Sequence, residues 1–573
     1  MLSATKNKKF IKIAACLFML SAVFLLANYT LAAVDVGLEY AAQTGLGGED
    51  IRIIIARIIR IIIGFLGIIA VGLIIYAGWL WMSSEGNEEK ITKAKQVLKN
   101  AIIGLIIILS AFAIATFVLN KLIGATSSGP ETGGGPGNGG GGIAALGSGI
   151  IESHYPGRNQ KDVPRNTKIV ITFKEPMDTS TLIINNLINS NNIKIYKSVD
   201  GVTGPTVSDV QASKSADNKI FVFKPKQYLG SSAEKIWYSV ALSKNIKKAN
   251  GDAAFAGVIG EIAYDWSFEV GTYVDITPPK VASIIPQPGV TEPRNVVIQI
   301  NFSEAVDPLA ASGATKNGFN NIIVSNKSDN VAVAGNFYIS NQYQTVEFLT
   351  EEACGTNSCG ETVYCLPGSK DITTLAKAAT LAVIGEPSAN FPYDGLVDMA
   401  DNSLDGNKNG IAQGPQAQSN LPPYDENAPD PETQGDDYSW TFKTNNTIDI
   451  TSPVINSIKP NLSDSGVSLT VEIEATFNKL LMSNSLNSSS INLISNPFKA
   501  INYWISKSDN VVDKNTTVKL NHDQFNENIS YSPQINSAVR DIYQNCYSPC
   551  SGLGVIGTPS CCNGVPMTGS SCP

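Results

Sequence analysis

Two uncharged apolar runs, Ile61 to Met82 and Ala101 to Leu119, stand close together near the start of a 573-residue chain. At about 1.5 Å per residue each spans roughly 30 Å, the thickness of a bilayer's hydrocarbon core. The short loop between them carries Lys90, Lys93, Lys95 and Lys99 against Glu85, Glu88 and Glu89. A hairpin of this length and purity constrains all that follows. The expectation is a membrane-anchored chain with two transmembrane helices.

Residues 1–33 have the three parts of a secretory signal. Lys6, Lys8, Lys9 and Lys12 form a basic start, Ile13 to Ala27 is apolar, and Thr30-Leu31-Ala32-Ala33 offers small residues for cleavage. An uncleaved first helix is the alternative, and both readings leave the basic end inside. Cys16, in Ile13-Ala14-Ala15-Cys16, matches a lipoprotein box only loosely, because most of the apolar stretch follows it. The loop lysines then face the cytoplasm, as basic residues near membrane ends tend to. Arg52, Arg57 and Arg60 dissent from the outer side, sharing a wedge of about 140° on a helical wheel. They suit an interfacial helix lying against headgroups. Asn87 is the expected N-cap of a helical loop, with Glu88 and Glu89 in its first turn. Ala111 and Ala115 form a small-xxx-small pair that lets helix backbones approach in lipid.

The first span ends Tyr76-Ala77-Gly78-Trp79-Leu80-Trp81-Met82. Gly86-Asn87-Glu88-Glu89-Lys90 and Lys93-Ala94-Lys95 follow, and the second span opens Asn100-Ala101-Ile102-Ile103-Gly104. In this order of parts, residues 1–125 resemble the small two-helix pilin-like subunits of type IV secretion and conjugation systems. The resemblance implies a subunit that packs helically with copies of itself. Such pilins usually end soon after the second span, whereas this chain runs on to residue 573. Bulky domains on every copy would crowd a filament. The hairpin therefore either polymerises or is only an anchor.

Residues 126–149 are nearly all Gly, Ser, Pro, Thr and Asn, a flexible tether reaching about 25–30 Å. They are no phosphate-binding loop, since no strand precedes and no Gly-Lys-Ser/Thr follows. Beyond the tether the chain repeats. Ile169, Ile171 and Phe173 recur at every second position, as do Ile298, Ile300 and Phe302, and Val471, Ile473, Ala475 and Phe477. Each set follows a proline (Pro156, Pro286, Pro460) by 17, 16 and 17 residues to its phenylalanine. Period two means a strand with one buried face. The first two repeats continue as Phe173-Lys-Glu-Pro-Met-Asp178 and Phe302-Ser-Glu-Ala-Val-Asp307. They close with Trp266-Ser-Phe268 and Trp440-Thr-Phe442, and then come the joints Asp275-Ile-Thr-Pro-Pro279 and Asp449-Ile-Thr-Ser-Pro453. Strand-rich units of this size predict all-β sandwiches in tandem behind an α-helical transmembrane hairpin. The expected units are 150–273, 274–446 with Cys-bearing and Asp/Asn-rich insertions, and 447–573.

These units resemble bacterial Ig-like domains of the kind found in S-layer and surface adhesion proteins, with the match carried by residues 150–446. The third unit keeps the opening strand but has Phe477-Asn-Lys-Leu-Leu481 in place of the acidic turn, and no Trp-x-Phe strand before Pro573. It is either truncated or a divergent cap.

Eight cysteines follow the signal region: Cys354, Cys359 and Cys365 in one cluster, and Cys546, Cys550, Cys561, Cys562 and Cys572 in the other. Disulfide staples are expected outside the cell. Each cluster has an odd member, and the pairing cannot be read from sequence. A zinc site is the rival, although the spacings fit no finger and His154 and His522 are remote in sequence. Asp405-Gly-Asn407-Lys-Asn409-Gly410 matches the first half of a calcium loop, with Asp398 and Asp401 just before it. The twelfth position is Gln416 where the bidentate Glu belongs, so Asp401, Asp405, Asn407 and Asn409 are either calcium ligands or an exposed Asx turn. Otherwise no cofactor is expected.

After residue 125 stand 30 basic and 43 acidic residues, a balance that argues against nucleic acid as a partner. Glu175/Asp178 and Glu304/Asp307 occupy one repeat position, which marks a structural turn and not an acid/base pair. No catalytic set is visible, so no enzyme is expected. The expected partners are the lipid bilayer, copies of the chain through the hairpin, and a surface ligand that the sequence does not name. The expected role is display or adhesion by extracellular domains of a multi-pass cell-membrane protein, with service as an atypical type IV secretion component as one form of it. The alternative is a structural envelope protein with the sandwiches as spacers.

Overall fold

The computed structural model describes residues 145–549 save 259, 462, 463 and 498, with the backbone of the short strands Cys561–Cys562 and Val565–Pro566. It also describes Thr92, Lys95 and Gln96 as exposed helical positions. The signal region, both apolar runs, Ala111, Ala115, Lys90, Lys93, Lys99 and most of the tether lie outside the described residues. Among the described residues no helix is long and apolar enough to cross a membrane. The sandwiches all belong to the second of the chain's two units, Ser128–Pro573.

The three alternating stretches are strands: Ile169–Phe173, Ile298–Phe302 and Ile473–Phe477. Each pairs antiparallel with an earlier strand, respectively Ile151–Tyr155, Val281–Ile285 and Ile455–Lys459. Each pair shifts register at one place, between Ile151 and Ser153, Val281 and Ser283, and Ile455 and Ser457. A bulge repeated at one position is a built feature that bends the strand in the same way each time. On its other edge each strand meets a second partner, setting Ile169 opposite Phe223, Ile298 opposite Phe348, and Ile473 opposite Leu520. These pairs start three separate apolar cores.

In the first sandwich the facing sheet is Ile193–Lys197, Ile236–Ser243 and Ile262–Val270. In the second it is built on Gly435–Thr444, Asp371–Ala376 and Ile322–Asn326. Trp266 and Trp440 sit fully buried on the closing strands. Their indole nitrogens donate to the carbonyls of Pro156 (3.0 Å) and Pro286 (3.1 Å), which meets the polar need of a buried tryptophan. The third sandwich closes instead with Ile491–Asn496 against Ser530–Ile535. There Tyr547 lies edge-on to Phe477, ring centroids 5.5 Å apart.

The alternation predicts one buried face per opening sheet, and the structure buries the second face as well. Val170 and Val222, on the outer face of the first sandwich, join Tyr343 and Met399 of the second in a cluster of their own. Gln299 and Glu347, on the outer face of the second sandwich, are 0% exposed. The third sandwich satisfies them. Gln299 Nε2 donates to Leu481 O (2.8 Å), and Glu347 accepts from the backbone N–H groups of Ser483 and Asn484. Buried polar groups are tolerated only when partnered in this way. The sandwiches expected in series are thus packed face upon face.

A single turn touches both neighbours. Asn341, Gln342 and Tyr343 have φ of 51°, 54° and 66°, a left-handed run unusual for residues with a Cβ. Tyr343 Oη accepts from Ser153 Oγ at 3.1 Å and shares a 2.8 Å bond with Thr172 Oγ1 in the first sandwich. Asn341 Oδ1 accepts from Lys507 N (3.0 Å) in the third.

Candidate functional site

The joints between sandwiches are built to one plan. Asn166 Nδ2 donates to Asp275 O (2.8 Å), and Asn166 Oδ1 accepts from Asp275 N (2.9 Å). Asn295 does the same for Asp449, at 2.7 and 3.0 Å. A second asparagine reaches each joint from the following sandwich, Asn402 Nδ2 to Asp275 O (3.3 Å) and Asn545 Nδ2 to Asp449 O (3.1 Å). The backbone of each joint aspartate is thereby held in the same way at equivalent sites.

What faces those aspartates differs from repeat to repeat. Four residues after each repeat phenylalanine an isolated bridge forms: Met177 with Lys248, Val306 with Asp398, and Leu481 with Asp541. This aligns the residue two places after the phenylalanine with the bridge partner. In the first sandwich the two are Glu175 and Lys248, paired at 2.7 Å. In the third they are Lys479 and Asp541, paired at 2.9 Å, and Lys479 also holds the joint's Asp449 at 3.1 Å. The second has Glu304 and Asp398, both acidic. With the joint's Asp275 they form a triad in which one oxygen from each lies within 4.8 Å of the others.

Asp398 is 1% exposed, and its carboxylate accepts from Ala400 N, Asn402 N and Asn402 Nδ2. Asp275 Oδ1 accepts from Thr277 N. Among the described residues nothing donates to Glu304. The lysines just ahead of the strands Ile169–Phe173 and Val281–Ile285 are engaged elsewhere, Lys168 with Asp307 and Asp401 (2.6 Å each) and Lys280 with Asp405 (3.3 Å). Burial, and then the charge of Asp275, push Glu304 up to about 7. Burial, and then Glu304, hold Asp398 well above the usual carboxylate range. A cleft of about 480 Å³ lined by Tyr155 and Tyr273 reaches Asp275 and Glu304.

The expected calcium ligands have protein partners. Asp401 pairs with Lys168 (2.6 Å) and Lys224 (2.5 Å) and accepts from the Tyr393 hydroxyl. Burial works against the charge there, yet the two ammonium groups hold its carboxyl below the usual range. Asp405 Oδ2 accepts from Gly410 N (2.8 Å) besides facing Lys280. Asn407 Nδ2 donates to Gln434 O (2.6 Å), its Oδ1 accepts from Asn409 N, and Asn409 Oδ1 accepts from Ile411 N. Asp178 and Asp307 cap short helical turns through Ser180 N and Leu309 N, whereas Glu304 does something else.

Cys354 pairs with Cys365, and Cys359 pairs with Cys546 across 187 positions of sequence. The cysteine left over in the first cluster thus pairs with one of the second, and the bond ties the second sandwich to the third. Cys550, Cys572 and the side chains of Cys561 and Cys562 lie outside the described residues. Lys95 is exposed and helical.

Two largely antiparallel sheets around one core, three times over, define Ig-like sandwiches. Residues 150–270 and 449–551 match the family model of the bacterial Ig-like domain, and residues 47–118 match that of the type IV secretion system pilin. The third sandwich, which lacks the Trp-x-Phe strand, is therefore matched. The matched residues leave out 271–448, where the pattern is interrupted by the hairpin Ala353–Thr356 with Thr362–Tyr364 and by long loops. No curated protein matches the chain. Among solved structures, the surface layer protein SbsC, domains 1-6, is similar at 10% identity and TM-score 0.17, covering 82% of this chain. The match spans 62% of that protein. A marsupial T cell receptor is similar at 8% identity and TM-score 0.15, covering 67% of this chain and 95% of its own. An alpha-2-macroglobulin fragment from Escherichia coli is similar at 11% identity and TM-score 0.13, covering 66% and 92%. Likeness at this level carries nothing about function.

Proposed function

We propose that the chain is a non-enzymatic, membrane-anchored envelope protein. Its pilin-like hairpin (34–125, spans near 61–82 and 101–119) follows a signal peptide and holds a tether. The tether displays three Ig-like units, 150–273, 274–446 and 447–573, on the outer surface. The observation that carries this reading is the order within one chain: a pilin-matching stretch at 47–118, then Ig-like matches at 150–270 and 449–551. Disulfides, which persist in oxidising compartments, and lysines in the loop between the apolar runs support that orientation. Adhesion to a surface ligand is the role the display suits best. The interlocked faces support a stiff head on a flexible stem better than a string of independent spacers.

Protease shaving of intact cells tests the topology. Loss of the Ig-like units from the cell with the hairpin retained is expected, and units untouched by protease would overturn it. Shearing then decides how the hairpin is used. Recovery in a pelletable filament fraction would mean that copies pack through Ala111 and Ala115 as an atypical secretion-system subunit. Retention in the membrane fraction without crosslinked multimers would leave the hairpin as an anchor.

A further inference from the structure

We infer that the third sandwich takes its closing strand from a second copy of the chain, by docking that copy's residues 34–40 along an open sheet edge. In the first sandwich Ile236–Ser243 is flanked on both sides, by Ile193–Lys197 and by Ile262–Val270. In the second, Asp371–Ala376 lies likewise between Ile322–Asn326 and Gly435–Thr444. In the third, among the described residues, Ser530–Ile535 has one neighbour, Ile491–Asn496. The place of the Trp-bearing strand is open.

The other side of that place is open too. In the first sandwich Val163 is fully buried and bridges Val270 in parallel. Its N–H donates to Glu269 O (2.9 Å) and its carbonyl accepts from Gly271 N (2.8 Å). Val163 stands seven places after Pro156, and Val467 stands seven places after Pro460. Val467 is 40% exposed. A groove of about 1040 Å³ lined by Val467, Leu469, Val471, Phe525, Tyr531 and Ile535 joins it to the bare edge. Along that edge Asn536 N donates to Ser490 O (3.0 Å), so Tyr531, Pro533 and Ile535 turn their backbone groups outward. Pro533 has no N–H to offer there. This blunts the edge against chance pairing and leaves Tyr531 and Ile535 to hold a strand that fits.

The sequence that follows the third core is no match for the gap. After the core rings Phe255 and Tyr547 both sandwiches reach Gly-Val-Ile-Gly, at 257–260 and 554–557. The first then reads Glu261-Ile-Ala-Tyr-Asp-Trp-Ser-Phe-Glu-Val270, burying Tyr264, Trp266, Phe268 and Val270 at alternate positions. The third reads Thr558-Pro-Ser-Cys-Cys-Asn-Gly-Val-Pro-Met567, without that alternation. The pattern stands instead just beyond Ala33, as Val34-Asp-Val-Gly-Leu-Glu-Tyr40. Its order is the order of Tyr264-Asp-Trp-Ser-Phe-Glu-Val270: apolar, Asp, apolar, small, apolar, Glu, apolar. An added strand needs this period, with main-chain bonds to the edge and alternate side chains in the groove.

A neighbour is the donor because the groove opens away from the chain's own stem. Where the stem enters, Leu146 donates to Asn502 Oδ1 (2.9 Å) and accepts from Tyr503 N (3.2 Å). Tyr503–Asn510 is one edge of its sheet, and Ile455–Lys459, whose end lines the groove, is the opposite edge. The inference rests on the reading that the hairpin crosses the membrane twice, which puts residues 34–40 and the sandwiches on one side, whichever side that is.

The test coexpresses two differently tagged full-length chains and keeps them in their membranes. One carries a photoreactive benzophenone amino acid at position 38. Illumination should give a product of two chains that holds both tags, with position 38 joined to peptides containing Val467 or the strand Ser530–Ile535. Val467→Arg in the receiving copy changes an already exposed residue, yet sets a charge against the docked apolar face and should cut that product about tenfold. In detergent, full-length protein with Val36→Asp and Leu38→Asp should bind a synthetic peptide of residues 34–46 and melt higher in its presence. Absence of the doubly tagged product overturns the inference, as do crosslinks confined to single chains. A product indifferent to Val467→Arg, or a peptide that leaves the melt unchanged, also overturns it. Protease shaving that places the sandwiches inside would refute outward display and leave the crosslink standing, so the two failures are told apart.

Discussion

Lys168 is 1% exposed at its side chain, and its ammonium lies 2.6 Å from both Asp307 and Asp401 of the next sandwich. It also points at Asp398 O (3.4 Å) and over the Tyr393 ring at 4.8 Å. Replacing it by methionine keeps most of the stem and removes the charge. Asp401 retains Lys224. Asp307 retains only the N–H of Leu309 that it caps, with a side chain 2% exposed. One uncompensated carboxylate is therefore left in a dry interface, and breaking a buried pair in this way costs about 3–5 kcal/mol. Lys168→Met should lower the denaturation midpoint accordingly. Adding Asp307→Asn removes the stranded charge while keeping the cap oxygen, and should recover at least half of the loss. Denaturant melts followed by tryptophan fluorescence measure both, and the double-mutant cycle isolates the pair. A single mutant within about 1 kcal/mol of wild type, or a double mutant no better than the single, would refute the assignment of Lys168 as the charge on which this interface depends.

Two further outcomes follow from the same structure. Cys359→Ser with Cys546→Ser opens a loop of 187 positions, for which the chain-entropy relation gives about 5 kcal/mol of lost stability; a calorimetric melt unchanged by the pair of substitutions contradicts that. The pH dependence in EDTA has two limbs. Burial, joined at Glu304 by the charge of Asp275 and opposed at Glu347 by Lys507 and at Asp541 by Lys479, pushes Glu304 and Glu347 up to about 7 and Asp541 up to about 6. These folded values exceed the unfolded ones, so the folded state holds the extra protons. Stability should rise as pH falls through about 7 and 6, and the gain should be absent above pH 8. Asp401 works the other way: its folded value is depressed, and its contribution is lost as pH falls below the ordinary carboxylate range, about 3.9. The melting temperature should therefore peak near about pH 5. A melting temperature that climbs steadily from pH 5 to 8 would count against these burials.

Local pattern carried much of the fold. Ile298, Ile300 and Phe302 announce a strand because period two is written in adjacent residues, and Trp440-Thr-Phe442 announces another for the same reason. The faces these strands turn outward were not legible. Val170 and Glu347 look like ordinary outer positions until Met399 and Ser483 arrive from other sandwiches. The disulfide between Cys359 and Cys546 was half visible: an odd cysteine in each cluster allowed it, but parity does not name partners. The triad was present as three separate hints, namely a joint aspartate, an acidic turn and an aspartate before a calcium-like loop. What joins them is the bridge between Val306 and Asp398, a contact across about ninety residues that no local period records. One signal was available. Glu304 and Lys479 stand at the same place after the repeat phenylalanine, and a reversal of charge at a repeated position asks what each is facing.

The bond from Cys359 to Cys546 closes most of the second and third sandwiches into a covalent ring. A single peptide cut at any exposed loop within that ring, such as the one around Val383 and Ile384, divides the chain without releasing anything from it. Both pieces remain fastened to each other until a reductant arrives. A head on a cell surface meets proteases continually. This one is wired so that its first wound is silent.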